Sequence, residues 1–291
     1  MQNGVVIKTL NSYYYVQTEH EVIRCKIRGR FKRERFLLCV GDQVTYQLLE
    51  DHTGIIESIM PRNTLLKRPF VANVDQVIVT FAAKNPDINL LLIDRFLVLA
   101  EHSNLKILLC VNKCDLADVN ELNSLIDLYT TIGYEVIKVS AQKNIGIDLL
   151  KEHLQNKVSV FSGPSGVGKS TLLNVLNPKF QLLTGSISNK IKRGKHTTRV
   201  AELFPLFENS FVVDTPGFSF TEFKDIDKFQ LSHYFPEFRE IDETCKFNTC
   251  LHDHEPQCAI KQAVKNKSIT KQRYTSYLSI LNEIKDIKRE F

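Results

Sequence analysis

Gly163-Pro164-Ser165-Gly166-Val167-Gly168-Lys169-Ser170 satisfies G-x-x-x-x-G-K-[ST] without exception, and no other stretch of this 291-residue chain limits its fold as strongly. The pattern works where a buried strand ends in a tight turn that opens directly into a helix. Both flanks are present: residues 158–162 form an apolar run, and residues 170–176 have helical apolar spacing. Glycines let successive backbone N–H groups converge on one anion, and the helix N-terminus adds positive potential. A loop of this kind cradles phosphates. Lys169 is expected to reach the β- and γ-phosphates, and Ser170, followed by Thr171, to present its hydroxyl to Mg²⁺.

The surrounding rhythm alternates strand and helix. Strands are expected at 75–82, 106–111, 135–139, 158–162 and 211–214, with helices at 90–102, 121–131 and 170–176. Such alternation points to a mostly parallel sheet with helices on both faces. Motifs fall at the strand ends. Asn112-Lys113-Cys114-Asp115 follows the second strand and matches N-K-x-D. A carboxylate at Asp115 accepts from both N1–H and the 2-amino group of guanine, whereas adenine offers neither donor. Ser140-Ala141 follows the next strand, where the Ala141 N–H would meet guanine O6. Asp214-Thr215-Pro216-Gly217 matches D-x-x-G: Asp214 is expected to hold Mg²⁺ through water, and the Gly217 N–H to sense the γ-phosphate.

Between these motifs lies a basic polar stretch, residues 190–199, with tandem threonines. Thr197 or Thr198 is the expected Mg²⁺ ligand in the triphosphate state. Phe218 stands where a water-orienting glutamine would serve, and a phenyl ring makes no hydrogen bond. Intrinsic hydrolysis is therefore expected to be slow, with His196 as the candidate that orients water once a partner docks. The catalytic set is thus His196, Lys169, Thr197 and Thr198. The motif order is a circular permutation: base-reading motifs first, phosphate loop next, switch motifs last. Whatever follows Gly217 is consequently tied to the γ-phosphate sensor.

Residues 1–68 read differently, as five short strands at 4–10, 12–18, 22–27, 44–49 and 54–59, separated by turn signals such as Gly41-Asp42. Five strands in a small unit fit an OB-type barrel. Seven cations crowd this unit: Arg24, Lys26, Arg28, Arg30, Lys32, Arg33 and Arg35. Several alternate with apolar residues, as in a strand with one wet basic face, which suits phosphate contacts with nucleic acid.

The seven cysteines separate by position. Cys245-x₄-Cys250-x-His252-x₅-Cys258 offers three thiolates and an imidazole within fourteen residues, a closed tetrahedral set for one structural Zn²⁺. His254 is an alternative imidazole. The odd cysteine count and the absence of a visible secretory signal favour a reducing cytosol over a disulfide framework. No apolar run approaches the ~20 residues of a membrane helix. Beyond residue 260 the chain reads as helical, with Lys261, Lys265, Lys267, Lys271 and Arg273 as a cationic series.

Gly41-Asp42, the N-K-x-D and phosphate-loop motifs, residues 194–198, Asp214 to Phe218, and the cysteine cluster with Glu255-Pro256 together resemble the ribosome small-subunit-dependent GTPase A family, the RsgA or YjeQ type. The likeness covers the whole chain. Arg199 departs from it, standing where the family often has a third threonine. The resemblance implies a multidomain α/β protein: an N-terminal OB-type β-barrel (1–68), a circularly permuted P-loop GTPase domain (69–220) and a C-terminal helical zinc-binding domain (221–291). It implies a cytoplasmic bacterial enzyme that hydrolyses GTP to GDP on the small (30S) ribosomal subunit late in its maturation; a monomer without a membrane partner is expected. Contacts with 16S rRNA, subunit-stimulated turnover and release of ribosome-binding factor A follow from the same likeness. The guanine pocket is also expected to admit guanosine tetra- and pentaphosphate as inhibitors. Two other readings stay open from sequence: an rRNA-binding checkpoint in which GTP binding matters more than hydrolysis, and a translation factor acting on mature ribosomes.

Overall fold

The computed structural model describes residues 1–28, 38–67, 70–178, 201–214, 223–242 and 244–287. Five strands, β1 (Gln2–Leu10), β2 (Tyr13–Gln17), β3 (Val22–Ile27), β4 (Gln43–Leu48) and β5 (Thr53–Ile59), close into a barrel in the order β1-β2-β3-β5-β4. The β3–β5 pair is parallel and the other pairs antiparallel. Closure leaves the barrel no free strand edge. Strand alternation sends Val6, Val16, Ile23, Cys25, Val44, Tyr46 and Ile56 to the interior. It leaves Arg24 and Lys26 on the outer face of β3, as the 22–27 pattern predicts. In β1 the register against β2 shifts between Val6 and Lys8. On an unbroken strand these two residues would share a face. The extra residue, Ile7, lets Val6 stay inside while Lys8 turns outward.

A small hairpin follows, β6 (Leu65–Lys67) with β7 (Phe70–Ala72). Then comes a six-stranded sheet of β8 (Gln76–Ala82), β9 (Lys106–Asn112), β10 (Glu135–Lys138), β11 (Val158–Ser162), β12 (Glu202–Phe207) and β13 (Ser210–Asp214), in the order β10-β9-β8-β11-β13-β12. The β9–β10 and β11–β13 pairs are parallel, and β12 pairs antiparallel with β13. Its helices are α1 (Leu90–His102), α2 (Val119–Thr130), α3 (Ile147–Leu154) and α4 (Lys169–Leu176). Helix α2 starts two residues earlier than its apolar spacing suggests, because the Asp118 carboxylate accepts from the Asn120 and Glu121 N–H groups and caps the first turn.

Past residue 222 the chain adds α5 (Arg239–Asp242), α6 (Ala259–Lys265) and α7 (Lys271–Ile287). Phe223, Phe235, Phe238, Ile260, Tyr277, Ile280, Leu281 and Ile284 share one apolar core with Val98 and Leu99 of α1. The cationic series expected here needs one correction. Arg273 is 1% exposed, because helical spacing puts it on the buried stripe with Tyr277, Ile280 and Ile284. By packing, the chain falls into two units: the barrel, α3, α4, β12, β13 and most of β11 in one, and β9, β10, α1, α2, most of β8, residues 162–168 and the C-terminal helices in the other. No helix among the described residues is long and apolar enough to cross a membrane.

Candidate nucleotide site and metal centre

The phosphate loop runs from the end of β11 into α4, as the motif requires. Its shape depends on glycine. Gly163 has φ +136°, and a Cβ there would sit 1.9 Å from the Thr80 carbonyl oxygen of β8. Gly168 has φ +95°, and its Cβ would lie 2.4 Å from Asn112 Nδ2. That close approach brings the phosphate loop against the base-reading loop. Pro164 leads into a turn at Ser165 and Gly166, and Val167 after it is buried.

Asn112, only 2% exposed, ends β9 and joins three segments. Its Nδ2 donates to the Val167 carbonyl at 2.9 Å, and its Oδ1 accepts from the Ala141 N–H at 3.2 Å. Lys113 takes a left-handed conformation, φ +57°. Its ammonium donates to the Gly166 carbonyl at 2.8 Å and to the Asn85 carbonyl. The Ser140 hydroxyl, itself buried, accepts from the Lys143 N–H at 3.1 Å and shapes the turn that presents Ala141. Asp115 lies in a short 3₁₀ turn, Cys114–Leu116, and is exposed. Two loops and a phosphate turn are thereby held together by side-chain bonds, with one carboxylate left facing solvent. Sequence reading missed Asn85, whose carbonyl anchors Lys113.

Lys169 opens α4, with Ser170 and Thr171 in the same turn. Burial holds the Lys169 ammonium below the ordinary lysine value, an environment that favours an anionic ligand. Asp214 is the last residue of β13. His196, Thr197, Thr198, Gly217 and Phe218 lie outside the described residues.

The sulfur and nitrogen atoms of Cys245, Cys250, His252 and Cys258 all lie within 4.8 Å of one another. His252 Nδ1 is 3.4 Å from Cys258 Sγ and 3.7 Å from Cys245 Sγ, and those two sulfurs are 4.0 Å apart. A tetrahedral zinc site has ligand–ligand edges of about 3.5–3.8 Å, so the donor set fits Zn²⁺ through Nδ1. His254 is 94% exposed and faces Asp253, away from the cluster. Burial, then the neighbouring Cys258 and Cys245 thiols, push Cys250 up to about 12, against the opposing pull of a backbone hydrogen bond at His252. Zn²⁺, when bound, supplies the charge that keeps these sulfurs as thiolates.

In sequence Glu255 stands beside the cysteines, but the bonds of the outer shell do not show there. The Glu255 carboxylate accepts from the Leu251 and Asp253 N–H groups at 3.0 and 2.9 Å. Tyr274 and Tyr277 donate to the His252 and Leu251 carbonyls at 2.7 and 3.0 Å. These bonds fix the ligand loop on α7. Purified protein is expected to carry one zinc per chain by elemental analysis. Cys258→Ser should lose that zinc and lower the melting temperature by ~5–10 °C. Full zinc content in the variant would refute the assignment.

On the barrel, the Arg24 guanidinium carbon lies 5.0 Å and Lys26 Nζ 5.4 Å from the centre of the Tyr13 ring. The outer face of β3 thus joins two cations to an aromatic ring, an arrangement suited to phosphate and base. Arg28 is already engaged, 2.6 Å from the buried Glu57 carboxylate. Arg30, Lys32, Arg33 and Arg35 lie outside the described residues.

Comparison with known proteins agrees with this geometry. Residues 3–56 match the RsgA N-terminal domain and residues 59–224 the RsgA GTPase domain. A small ribosomal subunit biogenesis GTPase RsgA of Caldanaerobacter subterraneus subsp. tengcongensis is 44% identical over 283 residues, covering 97% of this chain and 96% of that one. A Clostridium perfringens protein of the same name is 46% identical over 281 residues, covering 97% of each. Among solved structures, YjeQ from Thermotoga maritima superposes with a TM-score of 0.83 at 38% identity, covering 97% of this chain and 98% of that one. YloQ, a circularly permuted GTPase, superposes with a TM-score of 0.81 at 38% identity, covering 98% and 96%. With both domain matches, full-length relatives and the permuted site in agreement, the chain belongs to the RsgA family of GTPases.

Proposed function

We propose that this GTPase acts on the small ribosomal subunit during its late maturation, hydrolysing GTP there and coupling hydrolysis to its own release and that of ribosome-binding factor A. The observation that carries this reading is full-length identity of 44–46% to proteins named small ribosomal subunit biogenesis GTPase. The Tyr13, Arg24 and Lys26 surface of the barrel supports an rRNA contact. Residues 1–68, 69–220 and 221–291 serve as RNA-binding barrel, GTPase domain and zinc-binding domain.

In the nucleotide site, Asp115 accepts from guanine, Ala141 N–H meets O6, and the loop Gly163–Gly168 with Lys169 wraps the phosphates. Ser170, Asp214 and one of Thr197 and Thr198 would hold Mg²⁺, which would supply charge neutralisation for the phosphates. Gly217 senses the γ-phosphate. With Phe218 in place of a glutamine, His196 orients the attacking water. Guanosine tetra- and pentaphosphate compete for the same pocket, and a titration in which they fail to displace GDP would count against that.

Turnover with and without purified small subunits tests the proposal. Stimulation of more than about tenfold is expected, a barrier change above ~1.4 kcal/mol. A smaller effect favours a checkpoint that works by binding alone. His196→Ala should abolish the stimulated rate while nucleotide affinity stays within about twofold of wild type. Unchanged stimulated turnover removes His196 from the mechanism.

A further inference from the structure

Lys8 and Glu202 lie 194 positions apart, yet Lys8 Nζ sits 2.8 Å from one Glu202 carboxylate oxygen and 2.9 Å from the other. The pair joins barrel strand β1 to sheet strand β12, which pack side by side. Two features make the contact specific. The bulge at Ile7 turns Lys8 out of the barrel, a device that re-aims one side chain without disturbing the interior partner Val6. Glu202 is the register partner of Asp214 across the β12–β13 ladder. Asp214 opens the D-x-x-G motif, so the barrel's cation grips the strand residue paired with it. The side chains are 38% and 25% exposed, so the pair is partly solvated and adds little to fold stability. A weak contact between rigid elements can open and close with small energy changes, as a coupling element requires.

We propose that the Lys8–Glu202 pair is a positioning latch through which the barrel and the β12–β13 hairpin at the γ-phosphate sensor sense one another. Its use by RNA bound to the barrel rests on the ribosomal reading above, and its response to nucleotide on the reading of Asp214 as part of the γ-phosphate sensor. GTP-state movement at Asp214 shifts Glu202 through the ladder, and Glu202 loads or releases Lys8 on β1.

The test uses full-length protein and hydrogen exchange by mass spectrometry, comparing GDP with a non-hydrolysable GTP analogue and Mg²⁺. In wild type, exchange of the β1 amides should differ between the two states by about threefold or more. Lys8→Met and Glu202→Gln should each erase the difference, and the reversed pair, Lys8→Glu with Glu202→Lys, should restore it. A merely structural contact would not give recovery tied to nucleotide state. No nucleotide-dependent change at β1 in wild type, the same change in the single variants, or failure of the reversed pair to restore it overturns the latch. Turnover on small subunits is measured in parallel, with the single variants expected to keep the basal rate and lose most of the stimulation. Stimulation at the wild-type level in the single variants also overturns the latch. Wild-type protein that small subunits do not stimulate overturns the ribosomal reading, and the exchange data still decide the latch.

Discussion

Asp115→Asn should move nucleotide preference from guanine to xanthine. In the proposed site the exposed carboxylate would accept two hydrogen bonds from guanine. The amide keeps one acceptor but sets an N–H donor against the 2-amino donor. Losing a charge-assisted bond and leaving a donor unmatched costs ~3–5 kcal/mol, between about a hundredfold and a few thousandfold in affinity. Xanthine carries a carbonyl at that carbon and keeps N1–H, so the amide suits it. Because Asn112 and Lys113 build the loop through their own bonds to Val167, Ala141 and Gly166, the scaffold is expected to survive. Calorimetric titration with GDP and xanthosine diphosphate reads the switch. Equal loss of both ligands, or a large fall in melting temperature, would show Asp115 to be structural.

Arg273→Met is the second large effect, and it concerns folding. Arg273 is 1% exposed and donates to Asp94 at 2.6 Å and to the two Glu237 oxygens at 2.6 and 3.1 Å. Its guanidinium lies 4.5 Å from the centre of the Phe235 ring. Burial alone would lower its pKa, but Asp94 and Glu237 raise it above the usual arginine value. Asp94, fully buried, also accepts from Tyr129 at 3.0 Å and Gln272 at 2.9 Å. Removing the cation strands a buried carboxylate, which costs ~3–5 kcal/mol. Denaturant melts should show that loss, with a smaller one for Arg273→Lys, which keeps the charge but not the planar fork. Wild-type stability in the methionine variant would mean the network is solvated.

How legible each part was depended on how local its cause is. The 22–27 strand, the 90–102 helix and the 158–162 strand were readable because their apolar periods are unbroken. Strand β12 was not expected, since Pro205 argues against a strand. The sheet accepts it because β12 lies at the edge. Helix α3 went unread although Ile147, Leu150 and Leu154 line its buried face, because its eight residues are too few for a strong pattern. In the site, motif spacing marks the candidate residues of the nucleotide and metal sets. Asn85 and Tyr274 act through bonds to distant backbone, and no local pattern marks them; Glu255 stands in the motif beside the cysteines, but its bonds to the Leu251 and Asp253 N–H groups do not show in it. Arg273 shows the converse: its charge suggested a solvated series, whereas its position on the α7 stripe already placed it inward.

The shared core of α1 and the C-terminal helices bears on how the chain is made. Roughly 170 residues separate the end of α1 from the start of α7, so a ribosome adding ~5–20 residues per second leaves α1 without α7 for about ten to thirty seconds. Val98, Leu99 and the Asp94 carboxylate lack the cover of α7 until that helix has been synthesised. Translation that halts before α7 therefore releases a chain with an open apolar surface and an acid that lacks its arginine, a natural substrate for chaperones or proteases rather than a truncated but working enzyme.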